Sequence, residues 1–197
     1  MNTEIYAGIY VPRGYRPLTA EEAQTRRIAK ELKIPTPEAI RMAAPAMASL
    51  IDGPCWLIPV PASNISVTAN LALARAICES VPGSHVKCAI TRKHSVSSSR
   101  ERQLDGLPRL TIEEHAIVRI AGPIRAMPAY FVDNVITTGA TITACRRALG
   151  WGTGLAFASV SRLYRSNARS SADYSLSVHE SSTAYAPLTI RVARLLP

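Results

Sequence analysis

The chain has 197 residues, 47% hydrophobic and 19% charged, which is enough for one domain with a real core and too few for two of ordinary size. Its 23 Lys and Arg against 14 Asp and Glu give a net charge of +9, pointing to an anionic partner such as phosphates, nucleic acid or a membrane surface. No apolar run approaches the ~18 residues that a membrane-spanning helix needs.

Residues 1–10 carry Glu4 and lack the basic start and long apolar run of a signal or transit peptide, so a cytoplasmic chain with no membrane partner is expected. Thr19-Ala20-Glu21-Glu22 has capping-box spacing and opens a predicted amphipathic helix over 19–33. Thr36-Pro37 reads as an N-cap with proline in the first helical position. The following Ala- and Met-rich helix runs to Leu50 and is expected to kink or stop at Pro45. Residues 1–53 therefore read as a helical N-terminal region.

From residue 54 the pattern changes to alternating strand and helix. Residues 55–60 form a short apolar run between Gly53-Pro54 and Pro61, which suits a buried strand. A helix is predicted over 68–78, a strand over 86–90, and an aperiodic Ser-rich basic loop over 92–109, with five basic residues against two acidic. Strands over 129–135 and 155–163 flank a helix over 141–149, and the alternation predicts a mostly parallel sheet covered by helices. One domain spans 1–197, with its core at 54–165 and a C-terminal segment at 166–197.

Cys55, Cys78, Cys88 and Cys145 lie 23, 10 and 57 residues apart, which fits neither paired zinc ligands nor a dense disulfide framework. Buried free thiols are expected. The scattered His85, His94, His115 and His179 carry no HExxH spacing. There is no Gly-Lys dipeptide, no G-x-G-x-x-G and no G-x-S-x-G, which removes three familiar phosphate or nucleophile motifs. The basic stretch from Arg146 to Arg169 has no acidic residue; a solvated face, a wall for an anionic acceptor and a nucleic-acid surface are its three readings.

The chemistry-bearing segment is 130–143, Tyr-Phe-Val-Asp-Asn-Val-Ile-Thr-Thr-Gly-Ala-Thr-Ile-Thr. A buried strand ends in Asp133 and Asn134, turns through Thr137, Thr138 and Gly139, and enters a helix at Ala140 and Thr141. Amide N–H groups at a helix start, with hydroxyls around them, form a cradle for phosphate. Asp133 and Asn134 stand where sugar hydroxyls would need acceptors. A capped strand-end turn is the structural alternative.

This segment resembles the PRPP-binding signature of type I phosphoribosyltransferases. The resemblance extends more weakly over about 54–165 and is nearest to the orotate and ComF competence-protein branches. It implies a type I phosphoribosyltransferase-like α/β fold and a transferase that moves the 5-phosphoribosyl group of PRPP to a nitrogenous base, releasing pyrophosphate. The 5-phosphate would lie on Thr137, Thr138, Gly139, Ala140 and Thr141, and the ribose on Asp133 and Asn134. Ala62, Ser63 and Asn64 resemble the pyrophosphate loop. Arg92 and Lys93 resemble the start of the catalytic loop, with Arg100 in its body, and would stabilise leaving pyrophosphate. Mg2+ would arrive with PRPP and meet Asp133. The partners implied are PRPP and a small-molecule base, within a homodimer.

The sequence departs from the family pattern at Asn134, where a second acidic residue is usual, and at Thr137, where branches using 6-oxopurines carry Asp. No cysteine precedes Cys55, so the N-terminal zinc cluster of ComF is missing. Asn134 motivates an alternative: a non-catalytic PRPP or nucleotide sensor that binds nucleic acid through its positive charge. A ComF-like accessory role in DNA uptake is the third expectation.

Overall fold

The computed structural model describes residues 4–122, apart from 13 and 15, together with 127–160. The proposed C-terminal segment 166–197 and the distal part of the basic stretch, 161–169, lie outside the described residues. Five parallel strands form the central sheet in the order β1-β7-β6-β2-β3. They are β1 (Glu4–Tyr10), β2 (Trp56–Pro59), β3 (His85–Val86), β6 (Ala129–Ile136) and β7 (Thr153–Val160). An antiparallel ribbon of β4 (Ile90–Arg92) and β5 (Ile117–Arg119) stands apart from it.

The helices cover both faces. On one lie α1 (Ala20–Glu31), α2 (Pro37–Ala48) and α3 (Thr68–Ser80). Ile28, Leu32, Met47, Leu73 and Ile77 from these helices pack with Leu57, Val132 and Leu155 of the sheet. On the other lies α5 (Ala140–Leu149), whose Ile142, Cys145 and Leu149 pack with Ile58, Phe131 and Ala156, and with Ile90 of the ribbon. Each fully buried aliphatic or aromatic side chain contributes about 1.5–3 kcal/mol relative to exposure. The two cores are therefore the main source of stability.

Local sequence explains most boundaries. The expected capping box forms at α1: Glu22 N–H donates to Thr19 Oγ1 at 3.2 Å, and Thr19 N–H to Glu22 Oε2 at 3.0 Å. Arg16 pairs with the same carboxylate at 2.6 Å and holds its pKa at about 2. Thr36 accepts from Ala39 N–H at 3.1 Å, and Pro37 opens α2. At Gly154 a Cβ would come within 2.9 Å of Ile142 Cγ2, so α5 lies close enough to β7 to need glycine there.

The structure departs from the sequence-based expectations in several places. Residues 1–53 are not wholly helical, because Glu4–Tyr10 is an edge strand paired with β7, Glu4 opposite Gly154 and Tyr10 opposite Val160. Pro45 lies inside α2 without ending it. It is exposed, between buried Ala44 and Ala46, so the carbonyl it deprives of an amide is on the solvent side. The strand predicted over 86–90 divides, β3 staying in the sheet and β4 leaving for the ribbon. The loop predicted over 92–109 contains α4 (Ser99–Leu104), started by a second capping box in which Glu101 N–H donates to Ser98 Oγ at 3.2 Å.

Among the described residues no helix is long and apolar enough to cross a membrane. The four cysteines are free thiols; Cys55 and Cys145 are buried, Cys78 is half-buried and Cys88 is exposed. Cys88 therefore departs from the expected burial.

Candidate functional site

The carboxyl end of β2 lies beside the middle of β6, which continues to Ile136. Ile58 stands opposite Phe131, Pro59 opposite Val132, and the ladder continues with Val60 N–H donating to Val132 O at 3.0 Å. This pairing brings the loop after β2 and the Asp133-Asn134 pair of β6 to one end of the sheet. In open α/β sheets that end is where ligands bind.

Asp133 is half-buried. Asn134 N–H donates to its Oδ1 at 2.8 Å, and Asn70 Nδ2 approaches the same oxygen at 3.4 Å. Burial pushes the Asp133 carboxyl up to about 6, opposed by those hydrogen bonds and by the charges of Arg92 and Lys33. A carboxylate with this environment is poised to gain from a cation at its free face.

Asn134, expected to bind ribose, makes a side-chain bond within the fold. Its Nδ2 donates to Ala29 O at 3.1 Å. Ala29 is in the last turn of α1, where the amide of Lys33, its usual partner, bonds to Lys30 O instead. Asn134 thus supplies the donor that a helix end lacks. A carboxylate there would have no proton to give, which is a structural reason for the amide at this position.

The turn after β6 leads into α5 through Gly139, which has φ +81° and acts as the N-cap. Ala140 N–H donates to Thr138 Oγ1 at 3.3 Å, and Thr143 closes on Gly139 O through both its amide and its hydroxyl. Thr137 and Thr138 are exposed, and the first turn of α5 has no acidic residue. One carboxylate approaches from outside the turn: a Cβ on Gly139 would lie 2.0 Å from Glu4 Oε1. An anion of the chain itself therefore lies against the cradle, and buried Gly139 leaves room for it.

The loop at Ala62, Ser63 and Asn64 is tightly tied. Ala62 N–H donates to Ser66 O at 2.8 Å, Ile65 N–H to Ala62 O at 3.0 Å, and Ser66 N–H to Asn64 Oδ1 at 3.1 Å. Ile65 takes φ +73°, a left-handed conformation that a β-branched residue rarely adopts and that costs about 1–2 kcal/mol. Strain of this kind is held where surrounding bonds over-determine the backbone.

Arg92 is 6% exposed. Its Nε donates to Ala62 O at 2.9 Å and to Pro61 O at 3.3 Å, while Nη1 donates to His115 O. The residue expected to contact pyrophosphate thus directs its guanidinium at the carbonyls behind the loop. Lys93 is exposed at the end of β4 and Arg100 belongs to α4. His115, beside Arg92 at 3.4 Å, is buried, and burial together with the Arg92 charge lowers its pKa to about 4.

Between the α1–α2 turn and this loop is a cleft of about 220 Å3, lined by Lys33, Pro35, Ala62, Asn64, Ser66 and Asn70, among others. Asn70 connects it to Asp133 and also donates to Val60 O at 2.8 Å. Lys33, Asn70, Glu4 and His115 had no motif of their own in the sequence. Only their places relative to β2, β4 and β6 bring them to the site.

No protein-family model matches the chain, and no curated protein matches its sequence.

Proposed function

We propose that the protein is a phosphoribosyltransferase of the type I kind, moving the 5-phosphoribosyl group of PRPP to a nitrogenous acceptor and releasing pyrophosphate. The observation that carries this reading is the succession of three parts along neighbouring strands: the Ala62–Ser66 loop after β2, Asp133 on the adjoining β6, and the Gly139-capped turn by which β6 runs into α5. PRPP offers a 5-phosphate, a ribose and a pyrophosphate, and these parts offer amides and hydroxyls, a carboxylate, and a second tied loop.

In this reading the 5-phosphate displaces the Glu4 carboxylate from the Thr137–Thr141 turn, and Asp133 accepts from the ribose hydroxyls. The C1–O bond to pyrophosphate breaks with its electron pair leaving on pyrophosphate, the acceptor nitrogen forms the new bond to C1, and its proton passes to solvent. Positioning and neutralisation of charge carry the rate, and no protein nucleophile is needed. The donor set fits Mg2+ in one form only: Asp133 is a single carboxylate, with Asn134 turned to Ala29, so the ion would be held by Asp133 and by oxygens of PRPP. Bound there, Mg2+ supplies positive charge to the phosphate oxygens.

The cleft between Lys33 and Asn70 is the proposed entrance for the acceptor, which gives the helical segment of residues 1–53 its place as a cover. Asn134 favours a second reading, a sensor that binds PRPP without turning it over and binds nucleic acid through its basic surface. Calorimetry with PRPP, with and without Mg2+, followed by a pyrophosphate-release assay over a panel of bases, separates them. Mg2+-dependent binding with release supports the enzyme; binding without release, together with DNA binding that falls steeply with salt and is modulated by PRPP, supports the sensor. Absence of PRPP binding refutes both.

A further inference from the structure

We infer that Arg92 is a positioning residue, which shapes the Ala62–Ser66 loop to receive pyrophosphate and does not itself touch that ligand. This role rests on the phosphoribosyltransferase reading, which makes the loop a pyrophosphate site.

Arg92 sits at the end of β4, where the chain leaves the ribbon for the α4 excursion, and returns through His115 to β5. Its guanidinium joins the two sides of this excursion to the loop after β2, through Pro61 O, Ala62 O and His115 O. The excursion is tied to the loop a second time, by Val96 N–H donating to Ser63 O at 2.9 Å, and its own base is closed by Lys93 N–H on Ala116 O at 2.9 Å.

The direction of these bonds matters. A trans peptide points its C=O and N–H to opposite sides, so drawing Ala62 O onto Arg92 turns the amide of Ser63 away from Arg92. That amide is then presented on the outer side of the loop, where an anion can reach it. The same fork keeps the loop in the strained shape seen at Ile65. At 6% exposure and with three carbonyls on its fork, Arg92 has little surface left for a ligand.

The fork, and not the charge, is then what the site needs. Lysine keeps the charge but has no planar fork to span several carbonyls. Binding of Mg2+-pyrophosphate to the full chain is measured by calorimetry for wild type, Arg92→Lys and Arg92→Gln, with circular dichroism confirming that each is folded. Hydrogen exchange is followed at residues 62–66 and 93–96. The role predicts that both substitutions weaken binding by a similar factor, roughly tenfold, and that exchange at both segments speeds up. It also predicts that methylguanidinium restores binding to Arg92→Ala.

Wild-type affinity in Arg92→Lys with loss only in Arg92→Gln would mean direct charge contact and overturn the role. So would unchanged exchange in both variants. If Arg92→Ala does not fold, the comparison of Lys with Gln decides. If the wild type binds neither PRPP nor pyrophosphate, the phosphoribosyltransferase reading fails first and this role falls with it, whatever the exchange shows.

Discussion

The side-chain amide of Asn134 and the carbonyl of Ala29 are a matched donor and acceptor, 3.1 Å apart, across the seam between β6 and α1. The contact links the strand that carries Asp133 to the helix that runs into the cleft-lining turn at Lys33–Pro35. It also gives residue 134 a structural duty that an acidic residue could not fulfil.

Replacing Asn134 with Asp should therefore destabilise the fold by about 1–3 kcal/mol, since a carboxylate would face an unpaired carbonyl in a half-buried place. Urea denaturation near neutral pH measures this. Equal or greater stability in Asn134→Asp would remove the helix-end role.

The Gly139 turn makes two opposite predictions. Gly139→Val would force a branched residue into φ +81° and against Glu4, and Thr138→Arg would fill the turn. Both should abolish PRPP binding while circular dichroism stays native. Glu4→Gln removes the competing charge and should tighten binding of inorganic phosphate by about two- to fivefold. Unchanged phosphate affinity in that variant would show that the carboxylate does not compete.

Asp133 and His115 give the protein opposing pH dependences. The Asp133 carboxyl is raised from 3.8 to about 6, so the folded state holds this proton more tightly than the unfolded chain does. Its stabilising effect is complete below 3.8 and is lost as pH rises through about 6. His115 is lowered from 6.5 to about 4; its neutral form favours folding above 6.5, and this is lost as pH falls through 4. Asp133→Asn should stabilise the protein by about 1–3 kcal/mol above about pH 7, with the gain vanishing below about pH 4. Urea midpoints across that range test it, and a constant difference between variant and wild type would exclude titration of Asp133 as the cause.

Ile65 is a strained residue with modest burial, 38% exposed at φ +73°. Ile65→Gly should change stability by less than about 1 kcal/mol, as relief of the left-handed backbone offsets the packing lost and the extra freedom of glycine in the unfolded chain. Thermal unfolding measures it. A larger fall in melting temperature would mean that Ile65 packing outweighs the strain.

Much of the fold could be read from residue order. Thr19-x-x-Glu22 and Thr36-Pro37 announce α1 and α2 because caps are local, and the strand patterns at 55–60 and 129–135 announce β2 and β6. The Ser98-x-x-Glu101 box was equally local, but the basic, Ser-rich composition around it hid α4. The β1 strand was missed because Ile5, Tyr6, Ile9 and Tyr10 have a weak alternation, and what makes them a strand is β7, about 150 residues away. The site divides in the same way. Asp133 and the Thr137–Thr141 turn lie together in sequence, whereas Asn70 reaches Asp133 across 63 residues and Arg92 reaches Ala62 across 30. Those contacts depend on strand order, which no short motif encodes.

The pairing of β1 with β7 sets when folding can finish. Glu4–Tyr10 leaves the ribosome first among the described strands, and its neighbour among them, β7, is the last of them to be made. Until residue 160 has emerged, this segment is an unsatisfied edge with free backbone groups. The growing chain must keep it from pairing elsewhere. Synthesis that stalls between β6 and β7 would leave a nascent product prone to association through that open edge.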